Sequence, residues 1–322
     1  MNYIDAGELL LGLVILFAAG DALVHGSVAA ATRLRIPPIL IGLTIVGIGT
    51  SAPELVVSVD AALGGAPSIA IGNVVGSNIA NILLILGLPA LITPIVSGQP
   101  FLRRNMIFML VASGVLAVLV HGGELDRTDG LLLATMIVLY LVYSAVGMMR
   151  SRAAQAEIED EVRSLAPARA NTTGILARIG LGLVFLPIGA HFVVDGASGI
   201  ATSFGISEAV IGLTIIAVGT SLPELAAALA AALRREPAMI MGNVIGSNIF
   251  NICAILGITA LITNVPVEPR FAALDIWVML AAAALVAPFA FARRPVSRLA
   301  GGVFLTLYIA YAAWLARTAV GA

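Results

Sequence analysis

Apolar stretches of ~20 residues, each long enough to cross a bilayer, recur along this chain between short polar interruptions. In order, the pattern predicts spans over residues 8–30, 37–63, 68–91, 105–120 and 130–149. After a polar segment over 150–173 it predicts spans over 174–201, 208–233, 238–262, 271–291 and 299–316. That is an all-α membrane protein of ten helices in two groups of five, 1–149 and 174–322, joined by a linker. At ~24 residues the linker is too short to fold alone. Its acidic run of Glu157, Glu159, Asp160 and Glu161 reads as a solvated surface.

The second pattern is a repeat. GLTIVGIGTSAPE at 42–54 and GNVVGSNIAN at 72–81 return as GLTIIAVGTSLPE at 212–224 and GNVIGSNIFN at 242–251, offset throughout by 170 residues. Glu54 and Glu224 lie inside apolar segments, where an ionisable group is costly and points to function. Pro53 and Pro223 precede them, and an interior proline removes a donor and clashes with the carbonyl four residues back. Carbonyls around Gly47 to Thr50 are therefore expected to be free, in backbone that only a cavity or protein interior tolerates. Two carboxylates and freed carbonyls suit a hard cation. Ser51-x-x-Glu54 and Ser221-x-x-Glu224 also fit a capping box that restarts a helix after a break. Helices 2, 3, 7 and 8, which carry the motifs, are expected to be broken and to form the centre.

Five is odd, so two five-helix repeats enter the membrane from opposite sides, an inverted arrangement typical of alternating-access transporters. The basic residues agree. All 17 are arginine. With the N-terminus outside, the outer side receives only Arg127, Arg270 and Arg317, and every other arginine falls inside. Both termini are thus expected to be extracytoplasmic, with the linker in the cytoplasm.

Composition narrows the class. Hydrophobic residues make up 60% of 322, charged ones 11%, and mean hydropathy is +1.07. Asp5 and Glu8 precede the first span without a basic region, which argues against a signal peptide. The single Cys253 excludes an internal disulfide and a cysteine-rich metal site, and reads as core packing. No nucleophilic triad, metalloprotease motif or phosphate loop supports an enzyme, and no cofactor is implied.

GTSxPE followed by GNVxGSNIxN, occurring twice, resembles the α-repeats of the sodium/calcium exchanger family, within the cation/calcium antiporter superfamily, in its prokaryotic form. The resemblance implies an antiporter in a prokaryotic cell (inner) membrane that exchanges Na⁺ for Ca²⁺ by alternating access between the repeats. Its partners are then calcium and sodium ions and the lipid bilayer. It implies Glu54 and Glu224 as central ligands of both ions, and backbone oxygens of Thr50 and Thr220 for calcium. Sodium is assigned to Ser51, Ser77, Ser221 and Ser247 with carbonyls near Gly47 and Ala217. Ser77 with Asn81, and Ser247 with Asn251, are four apart and share a helix face. The chain departs from some prokaryotic relatives, which carry an aspartate at the position of Asn251; here the site has two acids rather than three. The proton/calcium branch carries a different motif in place of GTSxPE, which favours sodium as counter-ion. Alternatives are a proton-coupled calcium/cation antiporter and a passive cation channel with the same carboxylates as filter.

Other polar positions carry less. Asp21 and His25 are four apart in the first span, opposite His191 and Asp195 in swapped order, which suggests local pairs, interhelical hydrogen bonds or a pH-sensing element. Asp60 is placed near the outer mouth. Gly72/Gly76 and Gly242/Gly246 fit close helix packing. Pro187 is expected to kink the sixth span. The first and sixth spans, which lack the break, are candidates for a sliding gate.

Overall fold

The computed structural model describes residues 3–34, 38–65, 67–99, 101–150, 171–204 and 217–320. Ten helical segments follow the predicted order: α1 (Tyr3–Leu34), α2 (Pro38–Leu63), α3 (Ile69–Ile92), α4 (Leu102–Gly122), α5 (Arg127–Arg150), α6 (Thr172–Ser203), α7 (Leu222–Leu233), α8 (Pro237–Ile262), α9 (Phe271–Ala292) and α10 (Arg298–Val320). Among the described residues, nine are long and apolar enough to span a membrane. For α7, residues 208–216 of the expected span lie outside the described residues. The helices run a few residues beyond the apolar pattern at several ends. In α6 the helix continues through Pro187.

Glycine contacts give the directions of packing. A Cβ placed on Gly12 would lie 2.6 Å from the Val193 nitrogen, on Gly182 2.5 Å from Leu23 Cβ, and on Gly196 2.5 Å from the Leu9 nitrogen. Numbers rise along α1 as they fall along α6, so the first helices of the two repeats are antiparallel and in backbone contact. Small residues permit this close approach where lipid offers no hydrophobic drive. By contrast α2 and α8 run parallel: Gly242 abuts the Ile39 carbonyl, and a Cβ on Gly246 would lie 2.6 Å from the Leu43 carbonyl oxygen. A Cβ on Gly72 would meet the Phe271 ring at 3.2 Å, whereas no described atom comes within 4 Å of one on Gly76. Leu43, which covers Gly246, corresponds by the offset to Leu213, outside the described residues.

Two short β-pairings close the repeats. Ile95 and Val296 exchange N–H···O bonds of 3.0 and 2.9 Å. Glu124–Leu125 pairs antiparallel with Val265–Pro266. Ile95 and Val265 are related by the repeat offset, so the same bridge is built twice, at opposite ends of the bundle. One bridge joins the α3–α4 loop, just before Arg103, to the α9–α10 loop that carries Arg293; the other joins the α4–α5 loop, just before Arg127, to the α8–α9 loop that carries Arg270.

The motif helices form the core. Buried residues make up 72% of the apolar window of α3 and 78% of that of α8, against 11% for α10. Exposed Val14, Phe17, Leu139 and Leu176 sit on outer helices, where bilayer lipid is the expected neighbour. Cys253 is buried in α8.

Candidate ion-binding site

Each repeat interrupts its motif helices in the same two ways. In α2, a π-helical turn (Gly42–Val46) and one α-turn (Gly47–Thr50) end at Ser51, and a new helix starts at Ala52. In α7, Ala217–Gly219 is helical, Thr220 and Ser221 form a turn, and Leu222 starts the second half. Pro53 and Pro223 fall in the first turn of the new half-helix, where a missing N–H has no intrahelical partner to lose. In α3 and α8 the interruption is a π-helical turn that begins at Asn81 or Asn251, the last residue of the motif. Such bulges recur at functional sites.

These breaks bring the predicted residues together. Glu54 and Glu224 are both 1% exposed. Ser51 and Ser221 stand at N-cap positions, yet neither hydroxyl caps its helix. Ser51 instead donates across the repeat interface to Glu224 Oε1 at 2.9 Å. A bond to a buried carboxylate is stronger than a neutral cap, which is why the capping-box reading is not realised. Ser221 donates to Ser77 Oγ at 3.4 Å. The Gly47 carbonyl, expected to be free, accepts the Ser51 N–H at 3.2 Å and the Ser247 hydroxyl at 3.3 Å. Thr50 Oγ1 donates to the Val46 carbonyl at 2.9 Å and approaches Asn243 Oδ1 at 3.5 Å. The turn Gly47–Thr50 packs on α8, and Ala217–Gly219 packs on α3 in the equivalent way.

Several groups beyond the predicted set complete the frame. Asn73 Nδ2 donates to the Glu54 carbonyl at 3.2 Å, and its counterpart Asn243 to the Glu224 carbonyl at 3.5 Å. Asn81 Nδ2 donates to Asn248 Oδ1 at 2.9 Å; Asn251 Nδ2 donates to Asn78 Oδ1 at 3.1 Å. Asn78 and Asn248 in turn point their amides at the sulfurs of Met279 and Met109, both at 3.6 Å. Asn73 and Asn243 stand in the GN pair, and Asn78 and Asn248 in the GSN triplet. Their duplication was a sequence signal for them, but not their role in holding other groups.

What remains unpaired defines the chemistry. Glu54 Oε1 and Oε2, Glu224 Oε2, Asn81 Oδ1, Asn251 Oδ1 and Thr220 Oγ1 are buried with no hydrogen-bond partner among the described residues. An unpaired buried acceptor costs about 1–3 kcal/mol, and a charged one more. Five of these six atoms are pure acceptors, so a cation is the missing complement rather than an anion or a neutral donor pair. No three of His, Cys, Asp and Glu converge on a metal position among the described residues. The oxygen set is therefore two carboxylates with neutral donors, the type that takes hard cations.

Asp21 does not pair with His25. Its carboxylate takes a bidentate ion pair from Arg234, with Nε–Oδ1 at 2.5 Å and Nη2–Oδ2 at 2.6 Å. A guanidinium fork outcompetes a single imidazole contact. His191 and Asp195 do form the expected local pair, at 3.2 Å and largely exposed. Asp60 is exposed near the end of α2.

Residues 6–146 and 175–317 match the family described as sodium/calcium exchanger protein, one match for each repeat. The chain is 38% identical to the inner membrane protein YrbG of Escherichia coli over 95% of its own length and 96% of that protein. It is 31% identical to the sodium/calcium exchanger MaX1 of Methanosarcina acetivorans, covering 94% and 96% of the two chains. The solved sodium-calcium exchanger NCX_Mj, soaked with zero Na⁺ and Ca²⁺, superposes with a TM-score of 0.82 at 34% identity, over 98% of this chain and 100% of that one. Two inverted repeats, a buried acidic centre between them and these likenesses agree: the chain belongs to the prokaryotic sodium/calcium exchanger family, as a multi-pass membrane protein of the cation/calcium antiporter type.

Proposed function

We propose that this protein exchanges Na⁺ for Ca²⁺ at the Glu54/Glu224 site by alternating access. The observation that carries the reading is the set of buried, unpartnered oxygens drawn equally from both repeats. Two bidentate carboxylates and the Thr50 and Thr220 carbonyls would give calcium six oxygens, within the usual range of about 6–8. Sodium ions would share the glutamates and recruit the motif serines. The Ser247 hydroxyl and Gly47 carbonyl, joined by one hydrogen bond, would turn their oxygens to an ion between them, and Ala217 would serve similarly in the other repeat. An empty site with two negative charges is costly to enclose in a membrane, and a loaded one is not. That difference couples the two fluxes.

Residues 1–149 and 174–322 are then the first and second transmembrane repeats, with 150–173 as the cytoplasmic linker. The paired loops support the sidedness read from arginines, since each β-bridge joins loops of one predicted side. With five helices per half, both termini lie outside, and the membrane is the inner membrane of a prokaryote. In α6, Leu183 sits against Gly49 and Val194 against Gly219, the glycines just before each break. Sliding of α6 with α1 would press on both breaks at once.

The test is ⁴⁵Ca²⁺ uptake into proteoliposomes loaded with Na⁺, K⁺ or choline at fixed pH. Uptake is expected only with an outward Na⁺ gradient, falling roughly 100-fold or more in Glu54→Gln and Glu224→Gln. Uptake driven equally by a proton gradient would move the counter-ion to H⁺. Flux indifferent to every gradient would make the protein a channel.

A further inference from the structure

A second polar cluster lies away from the glutamates, and the repeat supplies its own control. At the start of α9, Asp275 is 1% exposed and forms an ion pair with Arg270 at 3.1 Å. Tyr311 of α10 donates to its other oxygen at 2.8 Å, and the Arg270 guanidinium lies 5.7 Å from the Trp314 ring. The matching place in the first repeat is the start of α4, against α5. Asn105 stands where Asp275 stands at the offset of 170, and beyond the next loop, where the offset becomes 171, Tyr140 matches Tyr311 and Tyr143 matches Trp314. An arginine is again present, from a different position: Arg104 packs on Tyr143 at 4.7 Å and on Phe101 at 4.8 Å. The cation and the aromatic wall are retained, and the carboxylate is gone.

The loss leaves bonds unmade. Arg104 Nε and Nη2, two donors along one edge of the guanidinium, are buried and have no partner among the described residues. Asn105 is 1% exposed, and neither of its amide atoms has a partner among the described residues. Both side chains line a cavity of 470 Å³ whose remaining wall includes Ile107, Phe108, Val111 and Tyr143. Ile107 and Val111 are about half exposed, on the outer surface of the bundle. The first turn of α4 has no side-chain cap, so its orphan N–H groups add positive potential at the same end.

We propose that this cavity holds one anionic phospholipid of the leaflet on which α5 ends. Its phosphate takes the carboxylate's place at the Arg104 fork and Asn105, and an acyl chain lies along Ile107 and Val111. A bidentate guanidinium edge matches a phosphate as it matches a carboxylate. Stacking on two rings holds the plane of the guanidinium, which reduces the ordering lost on binding. The lipid-facing apolar wall excludes a soluble phosphate as the intended occupant, because such a ligand would leave that wall unused. Anionic lipids are concentrated at basic ends of spans such as this one.

The test is native mass spectrometry of the full chain, titrated in detergent with phosphatidylglycerol or phosphatidylcholine. One phosphatidylglycerol is expected to bind in preference to phosphatidylcholine. Arg104→Gln is expected to weaken it about 10–100-fold. Asn105→Asp, which restores the carboxylate of the second repeat, is expected to do the same while leaving the protein at least as heat-stable without lipid. Arg33→Gln, an exposed arginine at the end of α1, is the control for general attraction and is expected to bind as the wild type does. Equal retention of both lipids, or retention unchanged in Asn105→Asp, would overturn the proposal and leave the fork to another anion. Should Arg104→Gln fail to assemble, Asn105→Asp decides alone. Because lipid binding is read without transport, this result stands apart from the outcome of the exchange assay.

Discussion

The two repeats share a motif and a fold but differ in two places, and the differences are of opposite kinds. At the centre, Ser51 holds Glu224 whereas Ser221, its counterpart, turns to Ser77 and leaves both Glu54 oxygens without a donor. The residues are the same, so nothing chemical forbids the mirror-image bond from Ser221 to Glu54. That asymmetry is conformational, and inverted repeats that exchange conformations would exchange it too. At the membrane edge, Asp275 of the second repeat corresponds to Asn105 of the first, and no movement can convert one into the other. That asymmetry is fixed in the sequence and belongs to surroundings that differ on the two sides of the membrane.

The largest effect expected of this comparison is at the serines. If the central difference alternates during the cycle, Ser51→Ala and Ser221→Ala each remove one charge-assisted bond from one of the two states. Both are expected to raise the calcium concentration for half-maximal uptake by about tenfold. A silent Ser221→Ala beside an impaired Ser51→Ala would show the asymmetry to be permanent.

A second effect, on stability rather than on transport, is expected from the glycines. Gly242→Ala drives a methyl into the Ile39 carbonyl and Leu43 nitrogen, backbone atoms that cannot step aside, for a loss of about 1–3 kcal/mol in thermal unfolding. An unchanged unfolding temperature would mean that the α2/α8 backbones are not in close contact at Gly242.

The smallest effects lie at the outer ion pairs. Asp21 and Arg234 are 45% and 34% exposed, so Asp21→Asn is expected to cost about 0–1 kcal/mol. With Asp21 committed to Arg234, His25 lacks the carboxylate that a pH-sensing pair required. His25→Gln and His191→Gln are expected to leave the pH profile of uptake in place. A shifted profile would restore the sensing role to His191 and Asp195.

What the sequence alone determined was whatever repeats or follows from burial in lipid. Span number follows from apolar length, since a bilayer permits few other solutions for a backbone. Inversion follows from an odd count per repeat, and the candidate oxygens from duplicated residues that are costly to bury. Tertiary structure alone decided which of those oxygens is paired. Ser51 reaches Glu224 rather than its own helix, the Gly47 carbonyl is taken by Ser247, and Asp21 finds an arginine 213 positions away. A hydrogen bond is won by the nearest strong partner in space. Spacing along one helix shows which groups share a face, but not what the opposing helix brings to it. The α4–α5 cavity was hidden for the same reason. Arg104 and Asn105 read as the polar end of a span until folding placed them beside Tyr143, opposite a repeat that kept its aspartate.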